Sequence, residues 1–137
     1  MEALLERLPP GLAPGPFKER FLAFIGSVLA KGGEIYVLMA SDGKAERPGA
    51  IVTAFVNAPY CEPHCYWFPE ATPRNRLELA LRFLIDMKAR YKLLVWVKPA
   101  DWKFYDHICK YGVLRTVGKL RDFYPDGSDA FLFQGVT

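Results

Sequence analysis

The spacing of hydrophobic positions changes several times along the chain and divides it into predicted helices and strands. Across residues 17–31 apolar side chains recur every three or four positions, which predicts an amphipathic helix that ends at a Gly-Gly pair. Residues 34–40 and 50–58 are rich in β-branched and aromatic side chains and are separated by a polar, turn-forming segment. We therefore expect an antiparallel hairpin, followed by a third strand over residues 64–68.

The second half of the chain returns to a helical period and then closes with strands. Thr72 is placed to cap a helix with one apolar face, which is predicted to be buried and comprises Leu77, Ala80, Leu81, Leu84 and Ile85. Residues 92–97 form an almost uninterrupted apolar run, which is typical of a strand covered on both faces. Asp101 is predicted to cap a further helix, and residues 114–119 and 130–134 are predicted to be the last two strands.

This order of elements predicts an α/β (α+β) fold with a mixed, mostly antiparallel central sheet and helices on both faces. The length of 137 residues is that of one domain, with residues 1–16 forming an N-terminal helix and a Pro-rich linker. A hydrophobic fraction of 51% provides a core and excludes disordered, collagen-like and disulfide-scaffold classes.

Charge and cysteine content bear on location and partners. Three cysteines are too few for a disulfide framework, and no apolar run is long enough to cross a membrane, so a cytoplasmic setting is expected. Residues 1–73 carry 6 basic and 8 acidic side chains, whereas residues 74–137 carry 12 and 7. The basic half can serve a nucleic acid, an anionic lipid surface or a phosphorylated small molecule. Because the basic residues do not cluster, a nucleic-acid partner is the weaker interpretation.

The segment VKPADWKFYDHICKYGVLRTVG, residues 97–118, resembles the GNAT superfamily of acetyl-CoA-dependent N-acyltransferases. That family has a strand, a helix with an aromatic-Tyr pair, a Gly and a further strand. Phe104-Tyr105 and Gly112 supply these features here, with two additional residues between them. The resemblance covers residues 17–135 and implies a third and a central strand that separate at their ends. The chain is also similar to GNAT-like proteins of short-tailed phages that are labelled internal virion proteins.

The resemblance implies that coenzyme A binds at the start of the helix after the third strand, where unpaired amides attract a diphosphate. The family pattern there is Gln or Arg, two residues, Gly, one residue, and Gly or Ala. This chain departs from it, with Thr72, Asn75 and Leu77 at the three positions. Arg74 and Arg76 could compensate for the missing glycines as cationic phosphate ligands. Alternatively, Arg74 begins a solvent-facing row of ion pairs and Arg76 is an ordinary surface residue. The implied cofactor-binding residues are Phe68, Thr72, Arg74, Asn75 and Arg76.

The family also implies an acid and a base. Tyr105 occupies the position from which a phenol protonates the departing thiolate; the alternative is a packed aromatic side chain. The base that deprotonates the amine is sought among Glu62, Glu70 and His64, with Glu70 and His64 preferred and an ordinary loop or strand-edge role as the alternative.

Taken with the resemblance, these residues imply transfer of an acyl group from acetyl-CoA to an unknown amine by direct attack. The alternative is a noncatalytic GNAT-fold protein, associated with a phage virion or with a second copy of itself, and found in the host cytoplasm if phage-encoded. No metal is expected, because the candidate zinc ligands diverge on their elements. Those ligands are Cys61, His64, Cys65, His107 and Cys109.

Overall fold

A computed structural model describes residues 17–42 and 45–136. The predicted helix and linker in residues 1–16 and the turn at residues 43–44 lie outside the described residues. The elements, in chain order, are α1 (Phe17–Ala30), β1 (Glu34–Asp42), β2 (Ala45–Asn57), β3 (Tyr60–Trp67), α2 (Pro73–Lys88), β4 (Lys92–Val97), a 3-10 turn (Pro99–Asp101), α3 (Trp102–Cys109), β5 (Leu114–Leu120) and β6 (Ala130–Gly135).

The strands form one sheet in the order β1-β2-β3-β4-β6-β5. The pairs β1–β2, β4–β6 and β5–β6 are antiparallel, whereas β3 and β4 are parallel, because the helix α2 lies between them in the chain. The parallel register comprises Tyr60 with Lys92 and Cys61 with Leu93, and the rest of β4 pairs with β6. The prediction of a mixed, mostly antiparallel sheet is confirmed.

The main differences from the predicted elements have local causes. Strand β2 begins at Ala45 rather than at residue 50, because a bulge opposite Leu38 and Met39 lets the strand continue through Pro48. Asp101 occupies the predicted N-cap position of α3, but its side chain makes no capping hydrogen bond. A 3-10 turn that starts at Pro99 leads into the helix.

The described residues pack into two compact units, the first containing residues 17–42, 45–56 and 64–80, and the second containing residues 57–63 and 81–136. The first unit buries Val28, Ile51, Val52, Phe68 and Leu79. The second unit buries Leu93, Ile108, Leu114 and Phe133. The single domain expected from the length stays a prediction.

The helices show how the sequence sets their ends and faces. Helix α1 ends where Gly32 adopts a φ of 76° and the Gly33 amide donates to the Val28 carbonyl at 2.9 Å. Helix α2 buries Leu84 and Met87, whereas Ile85, predicted to lie on the buried face, is 49% exposed. Within the described ranges, no helix combines the length and the apolar character needed to cross a membrane.

Candidate functional site

The first turn of α2 is built by Thr72, as predicted from the sequence. The Asn75 amide donates to Thr72 Oγ1 at 3.2 Å, and the Arg76 amide donates to the Thr72 carbonyl at 2.9 Å. Pro73 has no amide hydrogen to donate. Among the donors that the structure describes in this turn, the amide of Arg74 is therefore the one left for a ligand.

The loop that leads into α2 is held by Phe68 and Arg76. The Phe68 amide donates to the Gly49 carbonyl at 2.9 Å, and the Phe68 side chain is 2% exposed. Arg76 reaches back along the loop and donates through Nε to the Ala71 carbonyl at 3.0 Å and through a terminal nitrogen to the Phe68 carbonyl at 3.5 Å. Its guanidinium also lies 5.7 Å from the ring centroid of Trp67. Arg76 thus stabilises the conformation of the loop through hydrogen bonds to two of its carbonyls.

A cavity of about 440 Å³ opens beside this turn, within the first unit. It is bounded by the end of β1, the start of β2, the loop after β3 and the first two turns of α2. Four of the residues predicted for the site line it, namely Glu70, Thr72, Arg74 and Asn75. The other lining residues are Ala40, Ser41, Arg47, Pro48, Gly49, Ala71 and Glu78.

The cavity carries charges of both signs. Arg74 Nε lies 3.3 Å from Glu78 Oε1, and these side chains are 87% and 56% exposed, so the ion pair stabilises the helix only weakly. This is the first of the ion pairs expected along the solvent-facing side of α2; the rest of that row stays a prediction. Arg47 and Glu70 add one charge each. The Arg74 guanidinium can therefore exchange Glu78 for an anionic ligand with little loss of stability.

The sequence analysis did not find Arg47 and Ser41, although they line the same cavity. They precede the helix by more than 20 residues and belong to the β1–β2 hairpin. The sequence feature that could have indicated them is the polar segment predicted between the two strands of the hairpin. In the structure the start of β2 lies beside the end of β3, where the Phe68 amide donates to the Gly49 carbonyl.

Two of the residues proposed as bases differ in their surroundings. Glu70 is exposed and lines the cavity. His64 lies on β3 and is half-buried, with its ring edge-on to Phe55 at a centroid distance of 5.7 Å. The structure therefore brings Glu70 to the α2 turn and places His64 in an aromatic contact away from the cavity lining.

Tyr105 lies on α3 in the second unit. Its ring is 5.9 Å from the ring of the fully buried Phe133 and 5.3 Å from that of Phe104. These contacts match the packing role considered for this residue. Its role as an acid stays a prediction. In the described part of the chain no three His, Cys, Asp or Glu side chains gather as metal ligands.

Solved structures similar to this chain are N-acetyltransferases. A spermidine N-acetyltransferase chimera from Vibrio cholerae and hSSAT aligns with a TM-score of 0.67 and 15% identity, covering 88% of this chain and 77% of the other. The ribosomal-protein-alanine N-acetyltransferase from Brucella melitensis has a TM-score of 0.67 at 11% identity, with 99% and 93% covered. A probable acetyltransferase of the GNAT family from Chromobacterium violaceum has a TM-score of 0.68 at 16% identity, with 98% and 71% covered.

The chain has the GNAT fold. At these identities the likeness concerns the fold alone, since function depends on the residues of a site. No family model matches the sequence, and no curated protein sequence matches it. Within the GNAT fold, the predicted cofactor-binding turn and the cavity beside it belong to the same unit.

Proposed function

We propose that this chain binds an acyl-coenzyme A, with acetyl-CoA as the acyl donor, and transfers the acyl group to an amine by direct attack. The observation that carries the proposal is the cavity at the start of α2, where four predicted site residues meet within a GNAT fold. The acceptor is an amine, as in the N-acetyltransferases that share this fold.

The site offers three groups to a diphosphate. The Arg74 amide points out of the first turn, where the helix dipole favours negative charge. The guanidinium groups of Arg74 and Arg47 supply positive charge at the cavity wall. Thr72 and Arg76 do not bind the ligand directly in this proposal. They hold the turn and the loop in the shape that presents the Arg74 amide.

The proton transfers are assigned to residues of this chain. The Glu70 carboxylate accepts the proton that the acceptor amine loses as it attacks the acyl carbon, with His64 as the alternative base. The Tyr105 phenol donates a proton to the sulfur that leaves. Because no residue bonds to the acyl group, the reaction requires both substrates together and forms no acyl-enzyme.

Calorimetric titration of coenzyme A tests the binding step. We expect the wild-type protein to bind, and Arg74→Ala to bind about five- to tenfold more weakly, as for the loss of one charge-assisted contact. Arg82→Ala is the matched control, because Arg82 is an exposed arginine two turns further along α2. Absence of binding at millimolar coenzyme A, or equal losses in both variants, would contradict the proposal.

A noncatalytic role, as in a phage or virion-associated GNAT-like protein, is the second candidate. One observation favours it: Thr72 and Pro73 leave a single amide in the first turn, and the Arg76 guanidinium is turned toward the loop. Release of free thiol from acetyl-CoA in the presence of a panel of amines distinguishes the two. Transfer that is lost in Tyr105→Phe supports the enzyme, whereas binding without transfer to any amine favours the second candidate.

A further inference from the structure

Three aromatic rings of the second unit form a continuous surface outside the site described above. Trp96 on β4 is stacked on Phe123, with ring centroids 5.3 Å apart and planes only 5° from parallel. Phe123 meets Tyr124 edge-on at 5.1 Å. We call Trp96, Phe123 and Tyr124 the aromatic platform. Phe123 is 49% exposed, so solvent reaches the platform.

The loop that carries Phe123 and Tyr124 has a defined shape. The amides of both residues donate to the Ser128 carbonyl, at 3.0 and 3.1 Å, and the Gly127 amide donates to the Tyr124 carbonyl at 2.9 Å. Asp126 accepts from the amide and the hydroxyl of Ser128 at 2.9 and 2.6 Å. The rings are thus held in place before any ligand arrives, which lowers the entropy lost on binding.

An ammonium group already lies on the platform. Nζ of Lys98, the residue that follows β4, is 5.1 Å from the ring centroid of Tyr124, which is the geometry of a cation–π contact. Lys98 is exposed, so its ammonium leaves this position without unfolding any element.

Three carboxylates influence the Tyr124 side chain electrostatically. Burial raises the pKa of Tyr124, and the negative charges of Asp101, Glu62 and Asp126 raise it further. Hydrogen bonds from Ser128 lower the pKa of Asp126, and Lys98 lowers it to a smaller extent. Three carboxylates therefore act on Tyr124, while Lys98 is the cation over the ring. The local charge favours a further cation.

We propose that the aromatic platform is a binding site for an organic ammonium ion, which replaces the Lys98 ammonium over Tyr124. The chemistry indicates an aliphatic diamine or polyamine: the ring face and the carboxylates attract the ammonium, and the methylene chain covers the apolar surface of Trp96 and Phe123. A small inorganic cation would gain from the carboxylates but would leave that apolar surface uncovered.

Ammonium binding at the aromatic platform is separate from the proposed transfer reaction. Nearby carboxylates and a ring face stabilise the charged form of an amine. An amine must lose its proton before it attacks an acyl group, so the ammonium bound here is not the nucleophile. The site is one of recognition, and its occupancy can be measured without coenzyme A.

The test is a titration of 1,4-diaminobutane into isotope-labelled protein, followed by NMR at the indole NH of Trp96 and the ring of Tyr124. Lys98→Met removes the internal ammonium but keeps the length of the side chain. We expect it to bind the diamine about three- to fivefold more tightly than the wild type. Lys103→Met, at an exposed lysine of α3, is the matched control and should behave as the wild type.

Two further arms identify the ligand class and the ring. The double variant Lys98→Met/Tyr124→Leu should lose binding while its backbone amide spectrum remains that of the folded protein. The neutral analogue 1,4-butanediol should give no response, and sodium chloride at the same ionic strength should give none at Trp96. Equal diamine affinity in Lys98→Met and Lys103→Met, or an equal response to sodium or butanediol, would overturn the inference.

Discussion

Arg74 and Arg76 lie two positions apart on α2 and make different interactions. Residues two apart on a helix point to different sides, so Arg74 extends toward Glu78 and solvent, whereas Arg76 turns back to the Phe68 and Ala71 carbonyls. One side chain is available to a ligand and the other is part of the loop. The phosphate-binding role inferred for both arginines is therefore better supported for Arg74.

Substitution of the two arginines should separate stability from binding. Arg76→Ala removes two hydrogen bonds to carbonyls and should lower the free energy of unfolding by about 1–2 kcal/mol. Arg74→Ala removes one exposed ion pair and should change it by less than about 0.5 kcal/mol. Urea denaturation measures both values, and similar losses in the two variants would contradict the assignment.

Glu78 should weaken anion binding, because it competes for Arg74. We expect Glu78→Gln to bind coenzyme A about two- to fivefold more tightly at low salt, with the gain lost at high salt. Asp86→Asn makes the same change of charge at an exposed position of α2 outside the cavity. If calorimetry finds the same gain in both variants, the effect comes from net charge and not from Arg74.

At the scale of the element, one glycine within α1 and one just after its end differ in their surroundings. A Cβ at Gly26 would meet nothing within 4 Å, and its φ is not positive. A Cβ at Gly33, which follows the helix, would lie 2.6 Å from Val28 Cγ1 and 2.9 Å from the Val28 carbonyl oxygen. The first glycine only weakens the helix, whereas the second allows the chain to turn closely against it.

Alanine at these two positions should have opposite effects on stability. Gly26→Ala should raise the free energy of unfolding by about 0.5–1 kcal/mol, because alanine loses less backbone entropy in a helix. Gly33→Ala should lower it by about 1–3 kcal/mol, because a backbone atom as well as a side chain must move. Thermal and urea denaturation measure the sign of each change in the free energy of unfolding. An increase for Gly33→Ala would show that the turn after α1 can adjust to a Cβ at this position.

At the scale of the whole molecule, half-buried acids with raised pKa values contribute to the response to alkaline pH. Burial raises the pKa of Tyr66 above its ordinary value of 10.0, and its ring packs edge-on against Phe24 at 6.2 Å. Burial also raises the pKa of the Cys109 thiol above 9.0. In the unfolded chain both groups lose their protons at lower pH than in the folded protein.

The free energy of unfolding should therefore fall as the pH rises above these ordinary values. Well below pH 9 both groups are protonated in both states, so they make no difference to the slope. Cys109→Ser should flatten the part of the decrease that begins near pH 9, and Tyr66→Phe the part that begins near pH 10. Urea denaturation from pH 8 to 11 measures this, and unchanged slopes in both variants would refute it.

Much of the fold and part of the site could be predicted from local patterns. The strand over residues 92–97 has the predicted bounds, and the Thr72 cap is formed by the predicted hydrogen bond. These features depend on residues close in the chain, so the sequence contains the information directly. The helix end at the Gly32-Gly33 pair could be predicted for the same reason, and in the structure the Gly33 amide donates to the Val28 carbonyl.

What tertiary structure alone decided involves residues distant in the chain or side chains with a choice of direction. Arg47 lines the cavity beside the α2 turn because the first half of β2 lies next to the end of β3, where the Phe68 amide donates to the Gly49 carbonyl, and that pairing is a long-range contact. Arg76 turns inward because two carbonyls of the folded loop accept hydrogen bonds from it. Ile85 is exposed because the side of α2 that packs in the folded chain carries Leu84 and Met87. Local periodicity determines which elements form, but the energy that orients these side chains comes from neighbours that only the folded chain supplies.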